Sequence, residues 1–564
     1  MFLSILSTLI LGTIIGSIVS VSVFGFLFLI DFFNQNIEIL LSYATSHKSE
    51  DFSLSKVFLY LLIPSLIGFF VGFLRSLTND QRWHGPPDVI LSAHSKKNPL
   101  NIKAGFLTSF SAICSITAGG SVGQYGPLVH FGATIGAEIK QFAKKAGNIQ
   151  IFLGAGVAAA ISSGFGAPIA GLVFAREVIL RHQSLASFGP ILVSSLVSYF
   201  ITKLFFGFTP LLPSKIGGIN SLAEFPALVI TGLICGIVAI IYMRGLTHPK
   251  FFPNISKIHP WLQPALAGLL CGIVGMFIPQ VTGLGTDTIQ NILSGNVLPQ
   301  IAAQFLIFKL FLTVACLRLG LIGGVFAPAL FLGACSGILL GAFFNLIIPD
   351  TNIGLFSVAA MAAVGSCVIG GPLANMMIVF ELTSNYQATL AAGISIVFAS
   401  LVSSKVIGQS VFDKVLLNRD INLDLGDENL ILKSIKIKNI SRKKYCKFRE
   451  NETVEFAINK LALKKYSEGY LVDTYGKLLN KIELHKLIGL KKNMKLKLLK
   501  RNRYLKINEN ENVFTALNIC KDFVGESIPV IDEKNLLKGI ISESDIFNVY
   551  IETSKNQREL ESQN

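Results

Sequence analysis

Charge is what this chain has least of. Only 15% of its 564 residues are Asp, Glu, Lys or Arg, against roughly 25% in soluble globular domains. With 51% apolar residues and a mean hydropathy of +0.58, the composition excludes an ordinary soluble protein. Metal-ligand spacing is also missing. The eight cysteines form no CxxC or Cys/His pattern. Cys114, Cys235, Cys271, Cys316, Cys335 and Cys367 lie in apolar runs and read as reduced packing residues. No Lys or Arg precedes Lys48, so the apolar N-terminus lacks the basic region of a cleaved signal and reads as a retained first membrane helix. There is no phosphate-cradling P-loop and no nucleophile–base pair in a recognisable setting, so enzyme activity is not expected. The formal charge of +15 is no nucleic-acid signal. The segment KKNMKLKLLKRNRYLK (491–506) reads instead as part of a tail beside anionic lipid.

What is present is a long apolar region, residues 1 to 415, followed by a polar one rich in Lys, Glu, Asn and Asp. A simple span needs about 20 apolar residues, and residues 1–32, 55–76, 187–206, 226–244 and 390–407 meet or approach that. Other apolar segments are too short and end in Gly or Gly-Pro, as in IFLGAGVAAAISSGFGAP and FSVAAMAAVGSCVIGGP. Broken helices at membrane depth survive only where the freed backbone is buried or lines a wet cavity. They also recur. FLGAGVAAAISSGFGAPIAGLVFAREV (152–178) aligns without a gap to FSVAAMAAVGSCVIGGPLANMMIVFEL (356–382), so Pro168 answers to Pro372 and Glu177 to Glu381. GGSVGQYGPLVHFGATIGA has its echo in GLIGGVFAPALFLGACSGI, and HGPPDVI (84–90) a weaker one in GLGTDTI (283–289). Paired interrupted segments in two halves are the mark of transport folds with inverted repeats and a site near the midplane.

Pro127 and Pro328 suit the first turn of a helix, and the glycines before them leave amides unobstructed. Such a helix start carries roughly +0.5 of a charge and several unpaired N–H donors. It receives an anion without a full buried cation, which suits rapid release. The expected substrate is a small permeant anion.

These motifs resemble the CLC family of chloride channels and chloride/proton exchangers over about residues 10 to 415. GQYGP (123–127) stands at that family's G-K/R-E-G-P motif, GGVFAP (323–328) matches its G-x-F-x-P motif, and WHGPPD (83–88) is a drifted G-S-G-I-P. The resemblance implies homodimers with one anion pathway per subunit. It puts the central anion at the amides of Val325, Phe326 and Ala327, and the outer one at Gln124, Tyr125 and Gly126. His84, with Gly85 beside it, replaces the usual central serine, and Phe412 the tyrosine whose hydroxyl meets the ion. His130 and His182 read as ordinary lining or interfacial residues. Tyr125 replaces the gating glutamate. With an ordinary pKa near 10 it cannot repeat a carboxylate's proton cycle, yet it can donate to an anion or obstruct the path, or simply pack. Val178 stands where exchangers have an inner proton-transfer glutamate. Conduction without tight proton coupling is therefore expected. A proton-coupled antiporter with another proton route and a non-conducting scaffold for a sensing tail remain the alternatives. Glu177 and Glu381 read as a repeat-specific brace bonded to backbone.

In the tail, GYLVDTYGKLLNKIELHKLIGL (469–490) aligns with SIPVIDEKNLLKGIISESDIFNVY (527–550), placing Asp473 opposite Asp532. Each reads strand, turn, strand, helix, resembling a tandem CBS pair. GIISESD (539–545) fits that family's nucleotide-contact pattern at Ser542 and Asp545. The same spacing also caps a helix, so an adenine nucleotide and a purely structural, dimer-stabilising tail are both open. Lys486 breaks the pattern in the first unit. The expected fold is a mainly α, multi-pass membrane protein with two inverted-repeat halves of tilted and broken helices, plus a small α/β cytoplasmic tail. The membrane region is 1–418, with repeats at 50–205 and 225–412, and a linker is expected at 419–432. CBS-like units at 433–490 and 491–555 and a polar end at 556–564 complete the chain. Chloride or a similar anion, the lipid bilayer of the plasma (inner) membrane and a second copy are the expected partners. No cofactor is required and no metal or nucleic acid is expected.

Overall fold

The computed structural model of the chain describes residues 2–43, 54–78, 80–95, 99–143, 148–181, 185–207, 217–249, 258–423, 429, 431–433, 435–500, 504–521 and 523–562. His182 and part of the 419–432 segment lie outside them. The chain divides into two compact units at Asp420/Ile421.

In the first unit, helices α1 (Phe2–Tyr43) and α2 (Leu54–Ser76) lead into α3 (Pro86–His94), α4 (Ile102–Thr117), α5 (Tyr125–Phe142), α6 (Ile149–Phe165), α7 (Pro168–Phe174) and α8 (Leu185–Ile201). A π-helical turn extends α7 to Leu180. The second half follows the same order with α9 (Glu224–Thr247), α10 (Leu262–Phe277), α11 (Thr286–Leu293), α12 (Pro299–Arg318), α13 (Phe326–Asn345), α14 (Ile353–Ile369), α15 (Pro372–Thr383), α16 (Tyr386–Val406) and α17 (Val411–Leu417). Among the described residues seven helices are long and apolar enough to cross a membrane. They include α12 and α13, which the sequence reading did not single out as spans.

Two of the helices expected to be broken, α6 and α14, each have 17 residues, about 25 Å at 1.5 Å per residue. That falls short of a bilayer core of about 30 Å. Their residues Ile151–Ser163 and Leu355–Ile369 are buried without a gap, so they are core helices rather than lipid-facing ones. Both end on a glycine in the left-handed region, Gly166 at φ +67° and Gly370 at φ +73°, where a side chain would be strained. Pro168 and Pro372 then open α7 and α15.

Reciprocal contacts relate the halves by an approximate twofold. Glu177 accepts hydrogen bonds from the amides of Leu373 (3.0 Å) and Ala374 (2.7 Å). Glu381 accepts from Ile169 (2.9 Å) and Ala170 (2.8 Å). Each half thus satisfies the orphan amides that the other half's Gly-Pro break creates. A second exchange ties the Gly283 amide to the Gly119 carbonyl at 3.0 Å, and the Trp83 indole N–H to the Gly320 carbonyl at 2.8 Å.

The second unit holds two three-stranded sheets, β1 (Lys447–Arg449), β2 (Glu468–Val472), β3 (Leu478–Glu483) and β4 (Ile507–Asn508), β5 (Ile528–Ile531), β6 (Leu537–Ile541). In each the first strand runs parallel to the second and the third antiparallel to it. The register shifts at matching places, Leu471/Val472 and Val530/Ile531. The hairpins exchange bonds, Leu478 N–H to Asn535 and Leu537 N–H to Gly476, at 3.0 and 3.1 Å. Tyr470, Val472 and Leu478 pack there against Ile531, Leu537 and Ile540. The last helix, α20 after α18 (Val454–Leu463) and α19 (Val513–Cys520), runs Glu543–Ser562, so helix continues through most of the expected polar end.

Candidate anion site

The site begins with two glycines. Gly123 and Gly324 form an antiparallel bridge, with Gly123 N–H donating to the Gly324 carbonyl at 2.7 Å and Gly324 N–H to the Gly123 carbonyl at 2.5 Å. The approach is so close that a Cβ on Gly126 would lie 2.8 Å from the Gly324 Cα. This crossing sets the first turns of α5 and α13 side by side.

Between them is a small cavity with room for roughly one small occupant. Tyr125 and Gly126 line it from α5, and Val325 and Phe326 from the start of α13. Pro86, Phe174 and Phe412 contribute from α3, α7 and α17, joined by Val129, Ile161 and Ile369. No lining residue carries a charge. Leu128 and Ala329 make the first turn bonds back to the Gln124 and Val325 carbonyls. The amides of Gln124, Tyr125, Gly126, Val325, Phe326 and Ala327 therefore have no hydrogen-bond partner among the described residues. Two helix starts of roughly +0.5 each give about one unit of positive potential around a space with no carboxylate.

Tyr125 is buried. Its ring lies flat on Phe165 (centroids 3.6 Å apart, planes at 12°) and edge-on to Phe326 (6.1 Å, 71°). Phe165 and Phe326 meet edge-on at 5.8 Å. The tyrosine thus packs and lines the cavity at once. Phe412 also lines it, at the start of α17, which Ser410 caps by accepting the Asp413 amide hydrogen bond at 3.2 Å.

His84 and Gly85 are placed differently from the expectation. Neither lines the cavity. The Gly85 amide donates to Asp88 at 3.0 Å, so the tip of α3 is already capped by its own acid. Arg82 and Arg419 each hold the other oxygen of Asp88 at 2.9 Å. His84 is buried beside this group, its Nε2 3.5 Å from Asp80 and its ring 6.2 Å from that of His130. Both ring nitrogens of His130 are buried without a partner among the described residues.

One contributor is invisible in the sequence. Tyr242, fully buried on α9, donates its hydroxyl to the Val325 carbonyl at 3.1 Å. That occupies the acceptor nearest the helix start and keeps its negative end from the cavity. Its surroundings, IVAIIYMRG, are a plain apolar run with no signal.

In the second unit Ser542 and Asp545 serve each other. Asp545 accepts from the Ser542 amide (3.0 Å) and hydroxyl (2.7 Å), and its second oxygen takes the Arg442 guanidinium at 2.8 Å. Both carboxylate oxygens are thus engaged inside the unit, where the motif caps the last helix.

The comparisons agree with this geometry. The model of the voltage gated chloride channel family matches residues 66–404, and that of the CBS domain matches 499–552. The chain is 29% identical over 360 residues to the voltage-gated ClC-type chloride channel ClcB of Escherichia coli O17:K52:H18, spanning 62% of this chain and 85% of that one. It is 28% identical over 389 residues to a putative ClcB-like chloride channel protein of Ralstonia nicotianae, spanning 65% and 87%. Its fold resembles a slow cyanobacterial Cl-/H+ antiporter (TM-score 0.66, 22% identity, 73% of this chain and 97% of that one). It also resembles a eukaryotic CLC transporter (0.62, 18%, 96% and 98%). Crossed helix starts around a carboxylate-free cavity, two braced halves and these matches together mean that the chain belongs to the voltage gated chloride channel family, the CLC anion-transport proteins, and carries a C-terminal CBS domain.

Proposed function

We propose that the chain conducts chloride or a similar small anion passively, without tight proton coupling, with Tyr125 as an aromatic gate. The observation that carries this reading is the composition of the cavity wall. Unpartnered amides of two helix starts supply the attraction, and Tyr125 stands where a proton-carrying carboxylate would have to be. A neutral phenol has no charge to compete with the anion and no proton to exchange near neutral pH. Val178 is a buried aliphatic residue and supplies no inner relay.

The protein acts as a homodimer in the lipid bilayer of the plasma membrane, its tail in the cytoplasm, and is not an enzyme. The self-engaged Asp545 favours a structural tail over one that needs adenine nucleotide. Proteoliposomes loaded with chloride test the main reading. Efflux should be electrogenic, accelerated by a potassium ionophore, with no matching proton uptake. Steady uphill proton movement driven by the chloride gradient would falsify it.

A second reading is proton-coupled exchange. It is favoured by the unsatisfied nitrogens of His130 beside His84, which offer a protonatable pair, and by the fold shared with the slow cyanobacterial Cl-/H+ antiporter. The same assay separates the two.

A further inference from the structure

Among the described residues of the membrane unit, Lys309 is a buried charge that neither half's repeat explains. Lys309 lies in the middle of α12, with no exposed surface. Among the described residues no carboxylate comes within 4.0 Å of its amine; its partners are backbone carbonyls and an aromatic face. Nζ donates to the carbonyls of Val281 (3.1 Å) and Gly283 (2.9 Å) and lies 5.0 Å from the ring centroid of Phe331. An uncompensated ammonium in such a place is costly and is retained where it serves a function.

Its neighbours connect it to the anion site from both halves. The Val281 carbonyl that Lys309 holds also accepts the Ser121 hydroxyl at 3.0 Å, and Ser121 stands two residues before the Gly123 crossing. Gly283, whose carbonyl Lys309 also holds, donates its amide to Gly119, the start of the same glycine strand. Phe331 lies five residues beyond Phe326 on α13, about 7.5 Å along the axis. The ammonium therefore sits about two helical turns, on the order of 10 Å, from the start of α13, and is bonded behind the glycine strand that leads into α5.

We propose that Lys309 is the fixed positive charge that sets anion affinity at the crossing. It acts through its field rather than by touching the ion. This rests on the reading of the cavity as an anion site. The division of labour is physical. Amide dipoles at the wall offer shallow, easily released contacts, whereas a full cation in contact would hold the anion too tightly. Set back by about 10 Å, the same cation contributes attraction without becoming a ligand. At an effective dielectric of about 20, a unit charge at that distance changes monovalent anion affinity by about tenfold. The retreat of Lys309 behind backbone, with its donors spent on carbonyls, also keeps it from following the ion.

The test separates charge from hydrogen bonding. Lys309→Gln keeps two N–H donors for Val281 and Gly283 and removes the charge; Lys309→Met removes both. Chloride binding to the purified full chain, measured by calorimetric titration, is read beside the thermal midpoint. The expected result is about tenfold weaker binding in both variants, with the midpoint falling further in Lys309→Met. Wild-type affinity in a folded Lys309→Gln protein overturns the proposal. If that variant misfolds, Cys335→Asp takes its place. Cys335 is buried one helical turn beyond Phe331 on the same face of α13, and a carboxylate there offsets the charge while leaving the lysine bonded. Weaker chloride binding than in Cys335→Asn supports the proposal, and equal binding overturns it. Absence of any chloride binding in the wild type sinks the anion-site reading itself, a different outcome from a wild type that binds and a Lys309 variant that binds equally.

Discussion

Replacing Tyr125 by alanine is the most direct probe of the gate. The ring is held by a flat stack on Phe165 at 3.6 Å and an edge contact with Phe326 at 6.1 Å. Aromatic pairs of these kinds contribute about 0.5–1.5 kcal/mol each beyond area burial. Together they bias the ring toward its closed position by about 1–3 kcal/mol, a factor of about 5 to 150 in population. If swinging the ring aside limits conduction, Tyr125→Ala should raise chloride efflux from proteoliposomes by a factor in that range. Phe165→Ala, which removes only the stack, should give a smaller rise. Tyr125→Phe keeps both ring contacts and loses only the hydroxyl, so its efflux should stay near wild type. Efflux from folded Tyr125→Ala protein at or below the wild-type rate refutes the aromatic gate. A large drop in Tyr125→Phe would move the role from ring to hydroxyl.

Three further outcomes follow from the same contacts. Glu381→Gln removes the charge that two amides of α7 share, each such bond contributing about 1.5–3 kcal/mol. The thermal midpoint of the membrane unit should drop, and Glu177→Gln should match it because the brace is reciprocal. Tyr242→Phe removes the second donor of the Val325 carbonyl, which keeps only the Ala329 amide, at a cost of about 0.5–1.5 kcal/mol, and calorimetric titration should show several-fold weaker chloride binding. In the tail, hydrogen bonding from the Leu536 amide, helped by Lys538, holds Asp532 below its ordinary value of 3.8. A depressed carboxylate stabilises the fold above its unfolded pKa and loses that contribution as pH falls through the folded one. The tail's melting transition should therefore weaken below about pH 4, and Asp532→Asn should flatten that dependence.

Much of this molecule was legible because its chemistry repeats along the chain. The gapless alignment of Pro168 with Pro372 and Glu177 with Glu381 reveals two halves in the sequence itself. The short apolar runs ending in Gly-Pro revealed where helices must break. Those features are local. A proline has no N–H and a glycine tolerates positive φ wherever it stands, so the sequence alone determined the broken helices, the helix starts with open amides and the two matching units of the tail.

What only the tertiary structure decided is which group satisfies which. Asp88 caps the tip of α3 and takes the Gly85 amide from any ion, because Arg82 and Arg419, the latter far along the chain, converge to hold it there. Tyr242 and Lys309 sit in apolar runs with no motif around them, and their roles depend on carbonyls presented by distant segments. The sequence leaves packing, obstruction and ion contact open for Tyr125, and the stack on Phe165 gives its ring a packing partner. Hydrogen bonding and stacking are pairwise and long-range in sequence, so they become readable only when the chain has brought the partners together.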